Sequence, residues 1–324
     1  MLYALIAIAL IFDFTNGSND SSNIVATAIA SRAIEARRAL LIAAICEFAA
    51  PFIFGVNVAT TIGSDLIDPN AISLKVVFAA ILASIFWNIL TRRLGIPSSS
   101  SHALIGGLIG AAVVAEGISV VHFPGLFKVL GGLFMSPLVG LVFGFIFLRL
   151  VLFLARDASP GANVGFKRFQ YLTLISLSLS YGANDSQKTM GIIALGLVTA
   201  GVEAKFHIPV WVIASCAGAI ALGTTFGGWR LIRTIGGRIY NIRPVNALTS
   251  QLASATVILS AARLGAPVSS THVISAAVMG AGAGQRVNKV HWLVAKDILL
   301  TWMMTIPLTG VLSALVYQIV ILLT

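Results

Sequence analysis

The sequence predicts an all-α integral membrane protein of two inverted-topology repeats, whose discontinuous (broken) helices meet at mid-membrane. Three observations lead to this prediction. First, the 324 residues are 58% hydrophobic and only 10% charged, with a mean hydropathy of +0.97, so the chain lacks the polar surface of a soluble domain. Second, two polar motifs each occur twice within apolar stretches. Third, the basic loops of the two halves come in opposite order, as inverted repeats require.

Apolar segments of about membrane-spanning length follow one another through both halves of the chain. They run roughly over 2–31, 39–62, 73–91, 103–115 and 124–154, and then over 169–200, 208–228, 245–262, 273–284 and 292–323. We expect residues 1–31 to form a first crossing that is broken by polar residues. A signal peptide is the alternative for this stretch, but no Lys or Arg precedes its apolar run and Asp13 interrupts it.

The two halves align through landmarks that keep a nearly constant spacing. The pairs are Gly17 with Gly182, Asn19-Asp20 with Asn184-Asp185, Thr60-Thr61 with Thr224-Thr225, Gly95-x-Pro97 with Gly265-x-Pro267, His102 with His272, and Pro137 with Pro307. A repeat that covers nearly the whole chain is typical of a duplicated transporter half. We therefore predict a first repeat over 1–155, a cytoplasmic linker over 156–168 and a second repeat over 169–324.

Loop charges give the relative orientation of the halves. The loop after the first segment is basic and the next one is acidic, whereas in the second half the later loop is the basic one. By the positive-inside rule, equivalent loops then face opposite sides of the membrane. We expect the N-terminus outside and the protein in the plasma membrane, which is the inner membrane of a cell with two. The basic residues concerned are Arg32, Arg37, Arg38, Arg230, Arg233, Arg238 and Arg243.

The motifs PSSSSH (97–102) and PVSSTH (267–272) each follow a helix-breaking Gly-x-Pro and precede a short run of small residues. About fourteen helical residues reach about 21 Å, less than the ~30 Å hydrocarbon core, so each run predicts a half-helix that begins inside the membrane. Two helix N-termini that meet there offer free N–H donors to a small anion. The hydroxyls matched by the repeat are the candidate anion ligands: Ser99, Ser100, Ser101, Ser269, Ser270 and Thr271.

Three further residues of these motifs are weaker candidates. Ser98 has Val268 as its counterpart, and His102 and His272 either contact the ligand or only orient the hydroxyls. A simple N-cap is the alternative for each Ser-rich helix start. The duplication of the motif after a Pro break in a membrane segment favours a functional role.

Asp20 and Asp185 occupy matched positions in GSNDSSN and GANDSQK. A carboxylate near the bilayer centre costs about 2.5 to 3.5 kcal/mol, so two at matched positions call for a functional explanation. Cations must neutralise them before an anion can bind beside them. We predict Na⁺ at Asp20 and Asp185, with protons as the alternative, and no cofactor beyond this coupling ion. The predicted cation-binding residues are Asn19, Asp20, Asn184 and Asp185.

An alternative for each Asp is that it caps a broken helix or pairs with an intramembrane cation, for which Lys188 is the obvious candidate. Lys188 stands where the first copy has Asn23, so the two copies differ there. Threonines could also supply oxygens to a cation, although a membrane-helix Thr often bonds its own backbone. The lower-ranked candidates are Gln187, Lys188, Thr60, Thr61, Thr224 and Thr225.

Composition and spacing support a secondary transporter for a small oxyanion, surrounded by membrane lipid. The net charge of +10 lies in short loops, so we expect no nucleic-acid partner. The rivals are a channel and an intramembrane serine hydrolase, but a hydrolase gains nothing from an inverted duplicate of its Ser, His and Asp residues. We expect no enzymatic activity. The many small-residue faces are compatible with a homodimer.

GSNDSSN and YGANDSQKTMG resemble the paired GANDxAN-type signatures of the inorganic phosphate transporter (PiT) family, and PSSSSH and PVSSTH are similar to its second repeated motif. The resemblance covers nearly all of the chain. It implies import of inorganic phosphate coupled to a cation by alternating access, with Na⁺ in many members, H⁺ or metal–phosphate complexes in others, and sulfate in some relatives. Our expectation is Na⁺-coupled phosphate import, with a proton-coupled phosphate permease or a sulfate permease as alternatives. The first copy departs from the pattern at Ser18, Ser21 and Ser22.

Overall fold

The computed structural model describes residues 1–69, 71–94, 98–157, 161–227, 243–290 and 292–323. In the first half, the helices are α1 (Leu2–Ala30), α2 (Ala36–Phe54), α3 (Asn57–Thr60) with a π-helical turn (Thr61–Asp65), α4 (Leu74–Leu94), α5 (Ser100–Glu116) and α6 (Phe123–Leu154). In the second half, they are α7 (Ala162–Gly182), α8 (Asp185–Thr199), α9 (Val210–Phe226), α10 (Pro244–Arg263), α11 (Ser270–Gln285) and α12 (Trp292–Leu323). Two 3₁₀ turns, Ile118–Val120 and Val287–Lys289, follow α5 and α11.

This is a multi-pass membrane protein. Within the described ranges, five helices are long and apolar enough to cross a bilayer. Helix α2 and the α3 segment form one further candidate span that is bent by 73°. The prediction of an all-α membrane protein is therefore confirmed. The five apolar spans are Leu2–Ala30, Leu74–Thr91, Phe123–Leu154, Pro244–Arg263 and Leu299–Leu323.

The last two described helices of each half, α5 with α6 and α11 with α12, pack reciprocally. Half-helix α5 lies against α12 of the other half, and half-helix α11 lies against α6. Glycines permit both approaches, because a Cβ atom added at Gly110 would lie 2.2 Å from the Gly310 carbonyl oxygen, and one at Gly280 would lie 2.0 Å from that of Leu141. Small residues allow helix backbones to approach this closely in membranes. Each half-helix is therefore held in place by the opposite repeat.

The first crossing differs from its prediction. We expected residues 1–31 to be broken by polar residues, but α1 is continuous from Leu2 to Ala30. The hydroxyls of Thr15, Ser21 and Ser22 each donate to a carbonyl oxygen one turn earlier, so these polar side chains are satisfied without a break in the backbone ladder. The break occurs only in the second repeat, between α7 and α8.

Two other predictions concern the connections between helices. Helix α7 begins at Ala162, so residues 162–168 are helical and the connection to α6 is shorter than the predicted 156–168 linker. The basic residues Arg230, Arg233 and Arg238, which carried the orientation argument, lie outside the described residues, as do Gly95 and Pro97. The inside and outside assignments therefore stay predictions.

The contact between α6 and α11 should be sensitive to a single methyl-bearing side chain. A Cβ atom at Gly144 would lie 2.3 Å from the Ala277 carbonyl oxygen, whereas one at Gly131 of the same helix would meet nothing within 4 Å. We expect Gly144→Val to destabilise the protein by about 1 to 3 kcal/mol through overpacking. Thermal unfolding in detergent measures this, with Gly131→Val as the control. Equal midpoints for both variants would contradict the packing described here.

Candidate anion and cation site

The two half-helices begin in the protein interior, and a serine caps each of them. Ser99 and Ser269 are both buried, and their hydroxyl oxygens accept hydrogen bonds from the backbone N–H groups of His102 and His272, each at 3.4 Å. These bonds satisfy one N–H group of each first turn and leave the preceding N–H groups for another acceptor. Each end therefore combines unpaired donors with the positive pole of a helix dipole.

The two N-termini lie side by side. The Ser101 hydroxyl donates to the carbonyl oxygen of Val268, two residues before α11, at 3.1 Å. One turn further in, the rings of His102 and His272 have centroids 5.3 Å apart. These rings also pack against Phe134 and Trp302 respectively. The structure therefore brings the two duplicated motifs together, as a shared anion site requires, and places both histidines in aromatic packing.

The remaining hydroxyls of the two motifs differ in their surroundings. Ser100 is half-buried, whereas Ser270 is buried and its hydroxyl has no partner among the described residues. Ser98 accepts a hydrogen bond from the Trp87 indole N–H at 2.9 Å, which ties it to α4. Thr271 contacts the first repeat instead. Ser270 is thus the hydroxyl that is buried at a helix start and still available to a ligand.

Asp20 of α1 reaches the start of α11. The Thr271 hydroxyl donates to Asp20 Oδ1 at 2.8 Å, and the Asn23 amide donates to the same carboxylate oxygen at 3.2 Å and to the Thr271 hydroxyl at 3.3 Å. Beside them, Asn19 Oδ1 is buried without a hydrogen-bond partner in the described part of the chain. Carboxylate, amide and hydroxyl oxygens are the ligand types that hard cations prefer. Asn19, Asp20 and Thr271 could therefore hold a cation beside the α11 N-terminus.

The matched position in the second repeat holds an ion pair. Asp185 Oδ1 accepts from the ammonium of Lys188, and both side chains are buried. The same ammonium donates to the Ser101 hydroxyl at 2.6 Å and to the Val268 carbonyl oxygen at 2.8 Å. Lys188 thus contacts the start of α5, much as Asn23 contacts the start of α11. The alternative in which Asp185 pairs with an intramembrane cation is the arrangement that the structure contains.

The break between α7 and α8 is held by two side chains of the GANDSQK motif. The Asn184 amide donates to the Ala266 carbonyl oxygen, and its own oxygen accepts from the Val268 N–H, each at 3.3 Å. Gln187 bonds to backbone groups at the bend between α2 and α3. Its amide donates to the Gly55 carbonyl oxygen at 2.6 Å, and its oxygen accepts from the Val58 N–H at 2.9 Å. Gln187 therefore supports the fold around the site.

Three of the four candidate threonines bond to their own helix. The hydroxyls of Thr60, Thr61 and Thr225 donate to carbonyl oxygens three or four residues earlier, at 3.3, 3.3 and 2.7 Å. The Thr61 hydroxyl also accepts a hydrogen bond from the Lys128 ammonium at 2.9 Å. Thr224 is the exception, because its hydroxyl donates across the repeats to the Gly17 carbonyl oxygen at 3.3 Å. Of this group, only Thr224 lies against the segment that carries Asp20.

Sequence reasoning missed several buried polar residues near these segments. Asp13 accepts a hydrogen bond from the Thr189 hydroxyl, which joins α1 to α8. Glu47 is fully buried, and neither carboxylate oxygen has a partner among the described residues. Its backbone carbonyl would lie 2.4 Å from a Cβ atom added at Gly182. The available signal was that Glu47 is the only acid in the apolar run of α2, where an ionisable residue indicates function.

Comparison with known proteins decides the family. The family model described as "Phosphate transporter family" matches residues 16–162 and, a second time, residues 153–313. The chain belongs to this phosphate transporter family. The two matches fall on the first and the second half of the chain. The resemblance seen in the paired motifs is thereby confirmed.

Individual relatives agree with this assignment along their whole length. The chain is 41% identical to the "Probable low-affinity inorganic phosphate transporter" of Bacillus subtilis (strain 168), covering 97% of this chain and 96% of the relative. It is 42% identical to the protein of the same description from Rhizobium meliloti (strain 1021), covering 98% and 96%. A solved structure described as "The sodium-dependent phosphate transporter" superimposes with a TM-score of 0.88 at 27% identity, covering 100% of this chain and 99% of that one.

The backbone contacts of Gln187 generate a stability prediction. We expect Gln187→Leu to remove the acceptor of the buried Val58 N–H and the donor to the Gly55 carbonyl oxygen, and to cost about 1 to 3 kcal/mol. The thermal midpoint in detergent measures the loss. Gln318→Leu on the exposed side of α12 is the control. An unchanged midpoint in Gln187→Leu would contradict this role, because the Gly55 and Val58 backbone groups would then have other hydrogen-bond partners.

Proposed function

We propose that this protein imports inorganic phosphate together with a cation, most simply Na⁺, as a secondary active transporter. The observation that carries the proposal is the meeting of two half-helix N-termini, each linked to an aspartate segment of the opposite repeat by Thr271 or Ser101. Membership of the phosphate transporter family supports phosphate as the substrate. The solved relative described as sodium-dependent supports Na⁺.

The proposed phosphate position lies between the starts of α5 and α11. A tetrahedral oxyanion there would accept from first-turn N–H groups of both helices and from hydroxyls such as Ser100 and Ser270. Neutral donors and two dipole ends bind an anion without a full complement of fixed positive charges. Lys188 adds one ammonium at the α5 side, where it already contacts Ser101. Phosphate can then be released when the cation leaves Asp20.

The proposed coupling follows from electrostatics. Asp20 shares Thr271 with the anion site, so an ionised carboxylate there repels phosphate in the low-dielectric interior. A cation bound by Asn19, Asp20 and Thr271 removes that repulsion. Phosphate and cation therefore stabilise each other's binding, and such mutual stabilisation is reciprocal by linkage.

Alternating access is the transport mechanism that this architecture favours. Repeats that pack reciprocally can exchange roles, so that rocking one group of helices against the other exposes the central site first to one side and then to the other. The external N-terminus, the plasma-membrane location, the boundaries of the two repeats and homodimeric assembly remain predictions from the sequence.

An intramembrane serine hydrolase needs a hydrogen bond between its serine and a histidine base, and His102 makes no such bond in the described residues. Neither ring nitrogen of His102 has a hydrogen-bond partner among the described residues, and its ring packs edge-on to Phe134. A serine nucleophile needs a base within hydrogen-bond reach. The arrangement at this position therefore supports binding and transport rather than acyl transfer.

Uptake into proteoliposomes tests the proposed function. Radiolabelled phosphate is offered with an inward Na⁺ gradient in one arm and an inward H⁺ gradient in the other, with sulfate as competitor in both. We expect uptake that follows the Na⁺ gradient and resists sulfate. Uptake driven only by protons would establish the proton-coupled permease, and effective competition by sulfate would establish a sulfate carrier. Uptake driven by neither gradient would contradict a coupled transporter.

Neutralising Asp20 should remove the coupling. We expect Asp20→Asn to lose at least about 90% of Na⁺-driven phosphate uptake, because a carboxylate ligand supplies most of the attraction for a hard cation. Asp157→Asn is the matched control, since Asp157 is exposed and pairs only with its neighbour Arg156. Both variants should be equally folded by size-exclusion chromatography. Normal Na⁺-driven uptake in folded Asp20→Asn would refute the proposed cation site.

Removing one hydroxyl should weaken cation binding in a graded way. We expect Thr271→Val to raise the Na⁺ concentration for half-maximal uptake about tenfold, because a hydrogen bond to a charged group contributes about 1.5 to 3 kcal/mol. Thr225→Val is the control, since that hydroxyl bonds to Leu222 of its own helix. A Na⁺ titration of initial uptake rates measures both. Identical titrations would place the cation elsewhere.

A further inference from the structure

The two halves of the site differ in charge at one position. Asp20 and Asp185 correspond, and so do their hydroxyl neighbours Thr271 and Ser101 in the opposite half-helix. Three residues after each aspartate, however, the first repeat has Asn23 and the second has Lys188. The same place in a symmetric architecture therefore holds a neutral amide on one side and a positive charge on the other.

The environment of the Lys188 ammonium consists of oxygen atoms. A lysine has three N–H donors, and here they meet three acceptors: Asp185 Oδ1, the Ser101 hydroxyl at 2.6 Å and the Val268 carbonyl oxygen at 2.8 Å. Carboxylate, hydroxyl and backbone carbonyl are also the ligand types that a bound Na⁺ uses. The side chain is only 4% exposed, so water does not compete for these contacts.

We propose that the Lys188 ammonium is a tethered counter-ion that fills the second cation position, so that the protein carries each phosphate with one coupling cation fewer than a site with Asn in both repeats. This inference rests on the function proposed above and deepens it, because it assigns the number of coupling ions to a residue. Lys188 acts on phosphate through charge and through Ser101, and it does not leave the site during transport.

The charge balance of the described contacts supports this assignment. Asp20, Asp185 and Lys188 together carry one net negative charge when all three are ionised. The nearby buried acids Asp13 and Glu47 are present whether position 188 is Lys or Asn, so they do not enter the comparison. A single monovalent cation at Asp20 then leaves the cluster neutral before phosphate binds. With an asparagine at position 188 the same cluster would carry two negative charges and would need two cations. Burial makes this balance matter, since an uncompensated charge in a membrane interior is costly.

A purely structural ion pair is the competing explanation for the same contacts, because Lys188 also links α8 to the starts of α5 and α11. The two explanations differ in what they predict for a folded variant without the charge. A structural pair predicts lower stability and an unchanged number of cations per phosphate. A tethered counter-ion predicts that number to rise.

Flux-reversal measurements in proteoliposomes separate the two. The membrane potential is clamped, the Na⁺ gradient is varied, and the phosphate gradient at zero net flux is recorded. The slope of one logarithm against the other is the number of Na⁺ ions per phosphate, and it does not depend on the transport rate. The same series is run with proton gradients. The variants are Lys188→Asn, which copies the first repeat, Lys188→Gln and Lys188→Arg, with Lys205→Asn as a control at an exposed position.

For whichever cation drives uptake, we expect a slope of about one in the natural protein, in Lys188→Arg and in Lys205→Asn. In the neutral variants Lys188→Asn and Lys188→Gln, we expect the slope to be higher by about one. An equal slope in natural protein and the neutral variants would overturn the proposal. So would a slope of about two in the natural protein, which keeps the test decisive even if the neutral variants fail to fold. Absence of any cation-driven flux in the natural protein would instead overturn the proposed function, and the inference with it.

Discussion

The structure depends on one constraint: polar groups inside a membrane must find their partners within the protein. Here each aspartate segment finds them in the half-helix of the opposite repeat. Asp20 of α1 contacts Thr271 at the start of α11, and Lys188, paired with Asp185 of α8, contacts Ser101 at the start of α5. Ser99 and Ser269 cap one first-turn N–H group of each half-helix, and the contacts of Thr271 and Ser101 hold these helix starts beside the aspartate segments. Both contacts cross between the repeats, so neither half can complete its polar centre alone.

In the mechanism we propose, the same contacts connect anion binding with cation coupling. The hydroxyls that organise the helix starts, Ser101 and Thr271, are also the groups that touch the charged side chains. In that mechanism, a change of charge at Asp20 acts on the proposed anion position through Thr271, which contacts Asp20 directly. The close glycine contacts hold α5 against α12 and α11 against α6. The alternating access we propose would move each packed group of helices as a unit.

The sequence alone predicted the fold class, the repeat and the interior helix starts, because doubled motifs and hydropathy record them directly. It did not predict that α1 would stay continuous while the matched α7–α8 segment breaks. The first copy carries Ser21 and Ser22, whose hydroxyls bond within the helix, whereas Asn184 and Gln187 bond to backbone far away in the chain. The partners of Gln187 are backbone groups with no sequence signature, so its supporting role could only be seen in three dimensions. Asn23 was recognised only as the counterpart of Lys188, and its contact with Thr271 depends on packing between repeats.

The central claim is that the transported anion lies between the starts of α5 and α11. A crystal structure of the protein with Na⁺ and arsenate, a heavier tetrahedral analogue of phosphate, tests it most directly, because arsenic gives an anomalous signal that locates the anion independently of the refined coordinates. We predict one strong anomalous peak within hydrogen-bond distance of hydroxyls from both motifs, among them Ser100 and Ser270. A peak that touches only one half-helix, or that lies away from both, would contradict the account.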